Sequence, residues 1–460
     1  MKRYALLVSA LLSGCATYRP LVLPTDDALL RDVARLGVDA DRMPDAALAS
    51  HRFDPTDGLD ITEVAMLAVA NNPELRLARA DAGVTRAQAF SAGLLPDPQL
   101  AVSREAAMGS PAGATVAFTA GLTVDIAALL ARSSTRAAAD ADSRKSRLDL
   151  LWQEWQTVAK ARLLFVKLDA LARSQAILGQ QRTLLRQRLD AASRAVERGL
   201  VTSDAATPQL VAYEDTNRQW NDQERQRNQA RHDLNALLGV APDIALTLVG
   251  PPDIPTMDAT QVRTAIDAAP HRRPDLLALQ AGFEAQDDRY RGALRAQFPA
   301  ITVGPTRARD TSNVNTAGLS LGITLPLFNR NRGNIAIESA TRDKLRVDYQ
   351  QRLDATAVES HRLLEEQAIL ARQLAEIDTS LPALALAAER AGKAYEASNI
   401  DALTLTNVEG ALLARRLERI AAQQAMQEQA IALQALLGTH LNLPEAVDRA
   451  AGVNPGEKTS

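Results

Sequence analysis

The 460-residue sequence contains an internal repeat with a period of about 200 residues. The segment NNPELR at 71–76 returns as RRPDLL at 272–277, and the tripeptide Leu-Leu-Gly at 237–239 returns at 436–438. Between these markers, apolar residues spaced by seven recur in register 199 positions later. The two series are Leu164, Leu171, Leu178, Leu185 and Leu363, Leu370, Ile377, Leu384. Repetition over this length indicates two copies of one structural unit.

We therefore predict two tandem structural repeats. The first copy covers 61–240 and the second covers 261–440. The segment between them, 241–260, contains four prolines, and a proline-rich stretch between two periodic segments is typical of a linker.

Each copy contains one very long helix. From Ala127 to Arg198 the sequence has no proline and a single glycine, Gly179, and leucines at seven-residue spacing are typical of a coiled coil. Such a helix spans about 100 Å at 1.5 Å per residue, which a single globular domain cannot cover. Helices over 61–95 and 203–238, laid end to end, reach about the same length. We therefore predict two half-length helices packed against each long one.

Short, weakly alternating segments lie at the same point of each copy and are predicted to be strands. The predicted fold class is therefore mainly α with a small β part. In the first copy the elements are helices 61–71, 73–94, 127–198 and 203–238 and strands 99–104 and 115–126. In the second copy they are helices 262–297, 333–397 and 401–437 and strands 300–307 and 316–325.

The N-terminus has the layout of a bacterial lipoprotein signal. Lys2 and Arg3 precede an apolar stretch of the length found in signal peptides, and Leu12-Ser13-Gly14-Cys15 follows,. This tetrapeptide resembles the lipobox, whose cysteine is acylated, for example by palmitate, and becomes the first mature residue. We predict a signal peptide over 1–14, a lipidated extended segment over 15–60 and a polar tail over 441–460. The alternative is an ordinary signal peptide with an incidental cysteine.

Composition and motifs exclude several classes of function. Loss of Lys2 and Arg3 with the signal peptide moves the net charge from −3 to about −5, and no basic patch suited to nucleic acid is present. The five histidines are scattered, and no phosphate-binding loop or nucleophile elbow occurs,. We therefore predict a protein that is not an enzyme, with no catalytic residues, no metal site and no cofactor.

The two-copy plan and several motifs together resemble the TolC-type outer-membrane efflux proteins. The motifs are the lipobox, NNPELRLARA, GLLPDPQL, HRRPDLLALQ, RAQFPAITVG and LGITLPLFNRNRGN. The stretch PLFNRNRGN and the early NPEL are most similar to the CzcC-like branch, which serves cation and heavy-metal efflux. The lipobox and RRPDL also occur in the OprM-like multidrug branch, so both branches stay open.

The resemblance implies a homotrimer in the outer membrane, anchored by lipid. Four strands per chain would form one 12-stranded transmembrane β-barrel, and the long helices would form an α-helical barrel that crosses the periplasm. It also implies two partners, a periplasmic membrane-fusion adaptor and an inner-membrane pump of the RND type, with this chain as the passive exit duct. A coiled-coil scaffold lipoprotein and a secreted hydrolase are the competing interpretations.

The resemblance further implies that the turn after each long helix closes the tunnel, often with a ring of acidic side chains. Here Thr404 and Asn407 occupy positions where that ring has carboxylates. Asp204 and Asp401 lie near helix starts, where they complement the helix N-terminus. Arg198, in the last turn of the first long helix, complements the negative end of the helix dipole. These five residues are the candidate gate residues, and they do not predict a selective cation gate.

The lipidation site gives a direct test. Replacement Cys15→Ser should abolish acylation and leave either the uncut precursor or a soluble form. Metabolic labelling with a radioactive fatty acid measures this, and label that persists in the variant would contradict the assignment.

Overall fold

The computed structural model describes residues 18–32, 38, 43, 46–106, 108–109, 115–252 and 254–439. The predicted signal peptide, Cys15 and the tail 441–460 lie outside the described residues, so the statements on them stay predictions. Between 18 and 32 the chain has no regular helix or strand. Leu30 forms an isolated parallel bridge with Val240, and Leu59 forms one with Leu248, so parts of the N-terminal segment pair with the end of the first copy and with the linker.

The described part of the chain contains nine helices and four strands. The first copy and the segment before it contain α1 (Ala46–Ser50), α2 (Ile61–Asn71), α3 (Pro73–Ala92), β1 (Gln99–Glu105), β2 (Ala117–Asp125), α4 (Ile126–Glu197) and α5 (Ser203–Leu237). The second copy contains α6 (Ala259–Arg272), α7 (Pro274–Arg295), β3 (Ala300–Arg309), β4 (Asn315–Thr324), α8 (Arg332–Glu396) and α9 (Ala402–Leu437). The order of two short helices, two strands, a long helix and a return helix thus occurs twice. The prediction of a mainly α fold with a small β part is confirmed, and the β part is an antiparallel sheet.

The prediction of one continuous helix over 262–297 is wrong. The helix breaks at Arg273, whose backbone is extended with φ −75° and ψ 124°, and α7 begins at Pro274. A proline disfavours helical geometry in the residue before it and fits the first position of a helix. The first copy breaks at the corresponding point, where Asn72 is extended and Pro73 begins α3. The Pro-acid-Leu repeat is therefore a signal for a helix break in both copies.

Equivalent capping boxes begin the first helix of each copy. The Asp60 side chain accepts hydrogen bonds from the backbone of Thr62 and Glu63, and the Glu63 side chain accepts one from the Asp60 N–H. Asp258 and Gln261 make the same reciprocal pair at the start of α6. Each box satisfies backbone donors that a helix start would leave unpaired.

The two long helices are the rods around which the rest of the chain packs. Helix α4 has 72 residues and therefore spans about 108 Å, while α8 has 65 residues and spans about 98 Å. Helix α4 contacts α2, α3, α5, α7 and α9, and α8 contacts α6, α7 and α9. Among the described residues, no helix combines the length and the apolar content that crossing a membrane requires.

The predicted leucine seams face the interior. In α4, Leu178 is fully buried and Leu171 and Leu185 are nearly so. The corresponding residues of α8 follow the same pattern, with Leu363, Leu370 and Ile377 buried. The first member of the α4 series and the last member of the α8 series, Leu164 and Leu384, are partly buried.

Different polar side chains stabilise the helix break in the two copies. In the first copy, the Asn72 side-chain amide donates to the Leu237 carbonyl of α5 at 2.7 Å. In the second, the Arg273 guanidinium is only 1% exposed and forms two hydrogen bonds with Asp275, with Nε–Oδ1 at 3.0 Å and Nη2–Oδ2 at 2.6 Å. It also donates to the Thr356 hydroxyl of α8 and lies 5.1 Å from the Trp152 ring. Removal of Arg273 would leave the buried Asp275 with only the longer ion pair to Arg352, at 3.6 Å, a costly change.

The long helices end in the same turn. The N–H groups of Gly199 and Leu200 donate to the carbonyls of Val196 and Ala195, and both bonds are 2.9 Å long. In the second copy Ser398 and Asn399 donate to Tyr395 and Ala394 in the same pattern, at 2.9 and 2.8 Å. This is the Schellman arrangement, which requires a left-handed residue after the helix. That residue is Gly199 with φ 66° in one copy and Ser398 with φ 58° in the other.

The two turns predict opposite effects for a pair of reciprocal substitutions. Because a left-handed backbone is strained for residues other than glycine, Gly199→Ser should destabilise its turn and Ser398→Gly should stabilise its turn, each by about 1 kcal/mol. Amide hydrogen exchange measures this locally. The Leu200 amide should exchange faster and the Asn399 amide more slowly, each by about fivefold.

The matched control is Gly392→Ser within α8, where φ is not positive and an added Cβ meets nothing within 4 Å. It should leave both amides unchanged. Equal effects of Gly199→Ser and Ser398→Gly in the same direction would contradict the shared turn geometry.

Candidate functional site

A four-stranded antiparallel sheet lies at one end of the helices. The strand order is β1-β2-β3-β4, so the two hairpins lie side by side and β1 and β4 form the edges. The cross-strand row Val102, Ala120, Arg307 and Ala317 fixes the register. Because side chains alternate along a strand, the register also fixes which residues share a face.

One face of the sheet is apolar and exposed. It consists of the even-numbered residues of β1 and β2 and the odd-numbered residues of β3 and β4, which we call the apolar face. Leu100 is 70% exposed and Leu319 is 80% exposed, and Val102, Leu321 and Ile323 are also exposed. An uncovered apolar surface of this kind indicates a site of interaction with a partner or a membrane.

The opposite face is small and polar, and we call it the hydroxyl face. It consists of the odd-numbered residues of β1 and β2 and the even-numbered residues of β3 and β4, most of which are Thr, Ser, Gly or Ala. Its charged residues, Glu105 and Asp125, lie at strand ends. The sheet therefore presents two chemically different surfaces, as a wall between an apolar and an aqueous phase does.

A glycine allows close contact between the two hairpins. The pairing of β2 with β3 is interrupted opposite Leu122 and Thr123, where Pro305 has no N–H to donate. A Cβ atom at Gly304 would lie 1.7 Å from the Leu122 carbonyl oxygen. Any larger residue at 304 would force the two strands apart.

Phenylalanines mark both ends of the sheet. Phe118 lies in β2 at the end away from the helices and is 45% exposed. Phe298 and Phe328 lie just outside β3 and β4 on the helix side and are 68% and 100% exposed. Phe118 lies within a predicted strand segment, whereas Phe298 and Phe328 lie outside the predicted strands. Aromatic residues within four positions of a strand end would have been the signal.

The helix turns 198–202 and 397–401 lie at the opposite end of the rods. Arg198 is the C-cap of α4, one residue beyond the helix, and Asp204 lies in the first turn of α5. Asp401 is the N-cap of α9 and accepts the Thr404 N–H at 2.7 Å. Hydrogen bonds from the Thr404 side chain and then from its backbone lower the pKa of Asp401. This geometry supports the interpretation of Asp401 as a helix cap.

A groove of about 680 Å³ lies beside the two turns, at the tips of the helices. It is lined by residues of α4, α5 and α9, including Asp204 and Asn407 of the candidate gate residues. Arg198, Asp401 and Thr404 do not line it. Of the predicted set, one carboxylate and one amide therefore line this groove. Its other two carboxylates, Asp215 and Glu409, are paired with Arg218 and Arg188.

An ion pair that the sequence did not predict joins α4 to α9 beside this groove. Arg188 forms two hydrogen bonds with the Glu409 carboxylate, and the Nη2–Oε1 distance is 3.0 Å. The two side chains are only 27% and 16% exposed. Paired bonds of this kind have a defined geometry and are stronger than single ones. The residues are 221 positions apart, and nothing in their local sequence indicates that they pair.

One group of described residues has metal-ligand chemistry, His51, Asp60 and Glu63, whose ligand atoms lie within 4.8 Å of one another. Both Glu63 oxygens accept backbone N–H groups, from Asp54 at 2.7 Å and from Asp60 at 2.9 Å. One Asp60 oxygen is engaged in the capping box. This leaves His51 Nε2 and Asp60 Oδ2, 3.3 Å apart, and two ligands are fewer than a structural metal site uses.

Comparison with known proteins was made for the sequence and for the fold. Residues 265–439 match the outer membrane efflux protein family. None of the curated proteins matches the chain.

Solved outer-membrane channels share the fold along nearly the whole chain. The Campylobacter jejuni channel CmeC is 15% identical with a TM-score of 0.72, covering 95% of this chain and 98% of CmeC. The open state of the Neisseria gonorrhoeae channel MtrE is 18% identical with a TM-score of 0.69, covering 92% and 97%. CusC, described with transmembrane channel formation, is 17% identical with a TM-score of 0.70, covering 89% and 98%. The chain therefore matches the outer membrane efflux protein family over residues 265–439 and has the overall fold of these channels, as the resemblance to TolC-type proteins predicts.

Proposed function

We propose that this protein is the outer-membrane exit duct of a tripartite efflux system. The observation that carries the proposal is a sheet with one apolar and one hydroxyl face at the end of two rods of about 100 Å. In this function the apolar face contacts lipid, the hydroxyl face lines the pore and the rods continue the pore across the periplasm. The lipid on Cys15 would add a second attachment to the outer membrane.

The strand edges support a homotrimer. Strands β1 and β4 are the sheet edges, and unpaired backbone groups are not tolerated in the hydrocarbon of a bilayer. Pairing of β4 with β1 of a neighbouring subunit removes both edges. Three copies give a closed barrel of twelve strands, since each chain contributes four.

The duct depends on partners for energy and for cargo. The sequence has no phosphate-binding loop, so the driving force would come from an inner-membrane pump of the RND type, linked through a periplasmic adaptor. Two cargo classes remain candidates, heavy-metal cations as in the CzcC-like branch and drugs as in the OprM-like branch. Because the hydroxyl face has charged residues only at Glu105 and Asp125, selection by charge within the barrel has little support.

A coiled-coil scaffold lipoprotein is the competing function. It accounts for the seams at Leu178 and Ile377 but gives no role to an exposed apolar sheet face. A duct and a scaffold also differ in a measurement that needs no partner, since a duct conducts ions in a planar bilayer.

The gate is proposed to close by packing and hydrogen bonds at the tips. Arg188 and Glu409 hold α4 against α9 beside the groove. Asp401 is occupied as a cap. Opening would then require an adaptor to separate the helices, and salt or pH alone would not suffice.

Planar-bilayer recording of the full-length protein tests both the duct and its gate. The wild type should float with outer membranes as a trimer and show low conductance that does not depend steeply on divalent cations. Arg188→Ala should raise the conductance, because it removes the paired hydrogen bonds that hold the tip.

The control is Arg225→Ala, which removes an exposed pair with Asp222 on α5 (74% and 44% exposed) and should leave conductance unchanged. Absence of any conductance would reject the duct. Block by micromolar divalent cations, relieved by Asp401→Asn or Asp204→Asn, would reject this gate and favour an acidic ring.

A further inference from the structure

The apolar face ends in three arginines at the end of the sheet away from the helices. Arg104, Phe118 and Arg309 form one cross-strand row, and Arg307 lies in the adjacent row beside Ala120. All three arginines are exposed. We call Arg104, Arg307 and Arg309 the arginine cluster.

The described strands place no carboxylate on this face. Glu105 is next to Arg104 but on the hydroxyl face. Asp310, in the turn after β3, accepts the N–H groups of Ser312 and Val314, each at 2.9 Å. The Arg309 guanidinium donates once to the Val116 carbonyl at 3.2 Å. The cluster is therefore a concentration of positive charge without acidic partners on its own face.

The height of the sheet places the cluster at a membrane surface. From Ala300 to Arg309 the strand rises about 30 Å, and at a tilt of about 40° it covers about 23 Å along the membrane normal. Barrels have an apolar band about 25 Å tall. With the helix-side residues Phe298 and Phe328 at one interface, the arginine cluster and Phe118 lie at the other.

We propose that the arginine cluster binds the phosphate groups of lipid headgroups in the leaflet away from the periplasm. This inference rests on the proposed function, because it requires the apolar face to contact the bilayer. Guanidinium groups bind phosphate through paired hydrogen bonds, and arginines at an interface keep their charge among headgroups while their stems lie on apolar surface. Arg307 lies one row nearer the helices than Arg309, so the two guanidinium groups would bind phosphates of neighbouring headgroups at different depths.

Local fluorescence quenching tests the proposal in vesicles. Phe118→Trp places a reporter between Arg104 and Arg309, and Phe298→Trp places a second reporter at the helix side. Each full-length reporter protein is inserted into phosphatidylcholine vesicles containing brominated phosphatidic acid or brominated phosphatidylcholine at equal mole fraction. The reporter at 118 should be quenched preferentially by phosphatidic acid, by about tenfold in relative association, and the reporter at 298 should show no preference.

The variant R104Q/R307Q/R309Q should remove the preference, and R104K/R307K/R309K should retain most of it because the charge remains. R218Q/R225Q, which changes two exposed arginines of α5, is the matched control and should have no effect. Quenching by the brominated choline lipid shows whether each variant inserts. If the triple glutamine variant does not insert, Arg307→Gln replaces it, with an expected loss of about twofold to fivefold.

The possible outcomes distinguish the proposed lipid site from the proposed duct. Equal quenching by both lipids in a protein that conducts overturns the lipid site and leaves the duct intact. Loss of the preference on addition of millimolar inorganic phosphate also overturns it, because the site would then bind free phosphate. A protein that neither conducts nor is quenched at either reporter overturns the duct itself.

Discussion

The sheet edges at β1 and β4 impose the constraint on which the architecture depends. Within the described chain, no strand pairs with the outer side of either one, and one face of the same sheet is apolar and exposed. Unpaired strand edges are not tolerated in lipid, and an exposed apolar face is unfavourable in water. In the proposed trimer, pairing with neighbouring subunits would satisfy the edges, and a bilayer would cover the apolar face. Helix α4 begins directly after β2, where the Asp125 side chain accepts the Ala128 N–H at 3.0 Å. The direction of β2 therefore also determines the direction of α4.

The two copies have the same order of elements but differ in the side-chain contacts that hold their helix breaks in place. Asn72 joins the helix break of the first copy to α5 through one amide hydrogen bond, whereas Arg273 joins that of the second to α4 and α8 through a buried charged cluster. Trp155 of the first copy donates to the Ala435 carbonyl of the second at 2.9 Å. The copies are therefore not interchangeable, and a trimer would alternate two kinds of helical hairpin around its axis.

Sequence reasoning succeeded where the signal is local. A stretch before Arg198 without proline and with one glycine predicted α4, and the predicted helix bounds 127–198 and 203–238 located the turn between α4 and α5. It failed at Arg273, although Pro274 carried the same information as Pro73. Features that depend on the three-dimensional arrangement could not be predicted from the sequence. The Arg188–Glu409 pair, the faces of the sheet and the cluster at Arg307 depend on register and on contacts between segments about 200 residues apart, which no local pattern encodes.

The central claim is that the apolar face contacts lipid and the hydroxyl face lines an aqueous pore. Cysteine scanning of β4 tests it cleanly, because Cys15 is the sole native cysteine and its thiol is consumed by the predicted acylation; the protein without an introduced cysteine gives the background labelling. Cysteine is introduced singly at Gly318, Leu319, Ser320 and Leu321 in the vesicle-inserted trimer, and a charged thiol reagent is added. The account predicts labelling at 318 and 320 and protection at 319 and 321. Equal labelling of all four positions, or protection of 318 and 320 with labelling of 319 and 321, would contradict it.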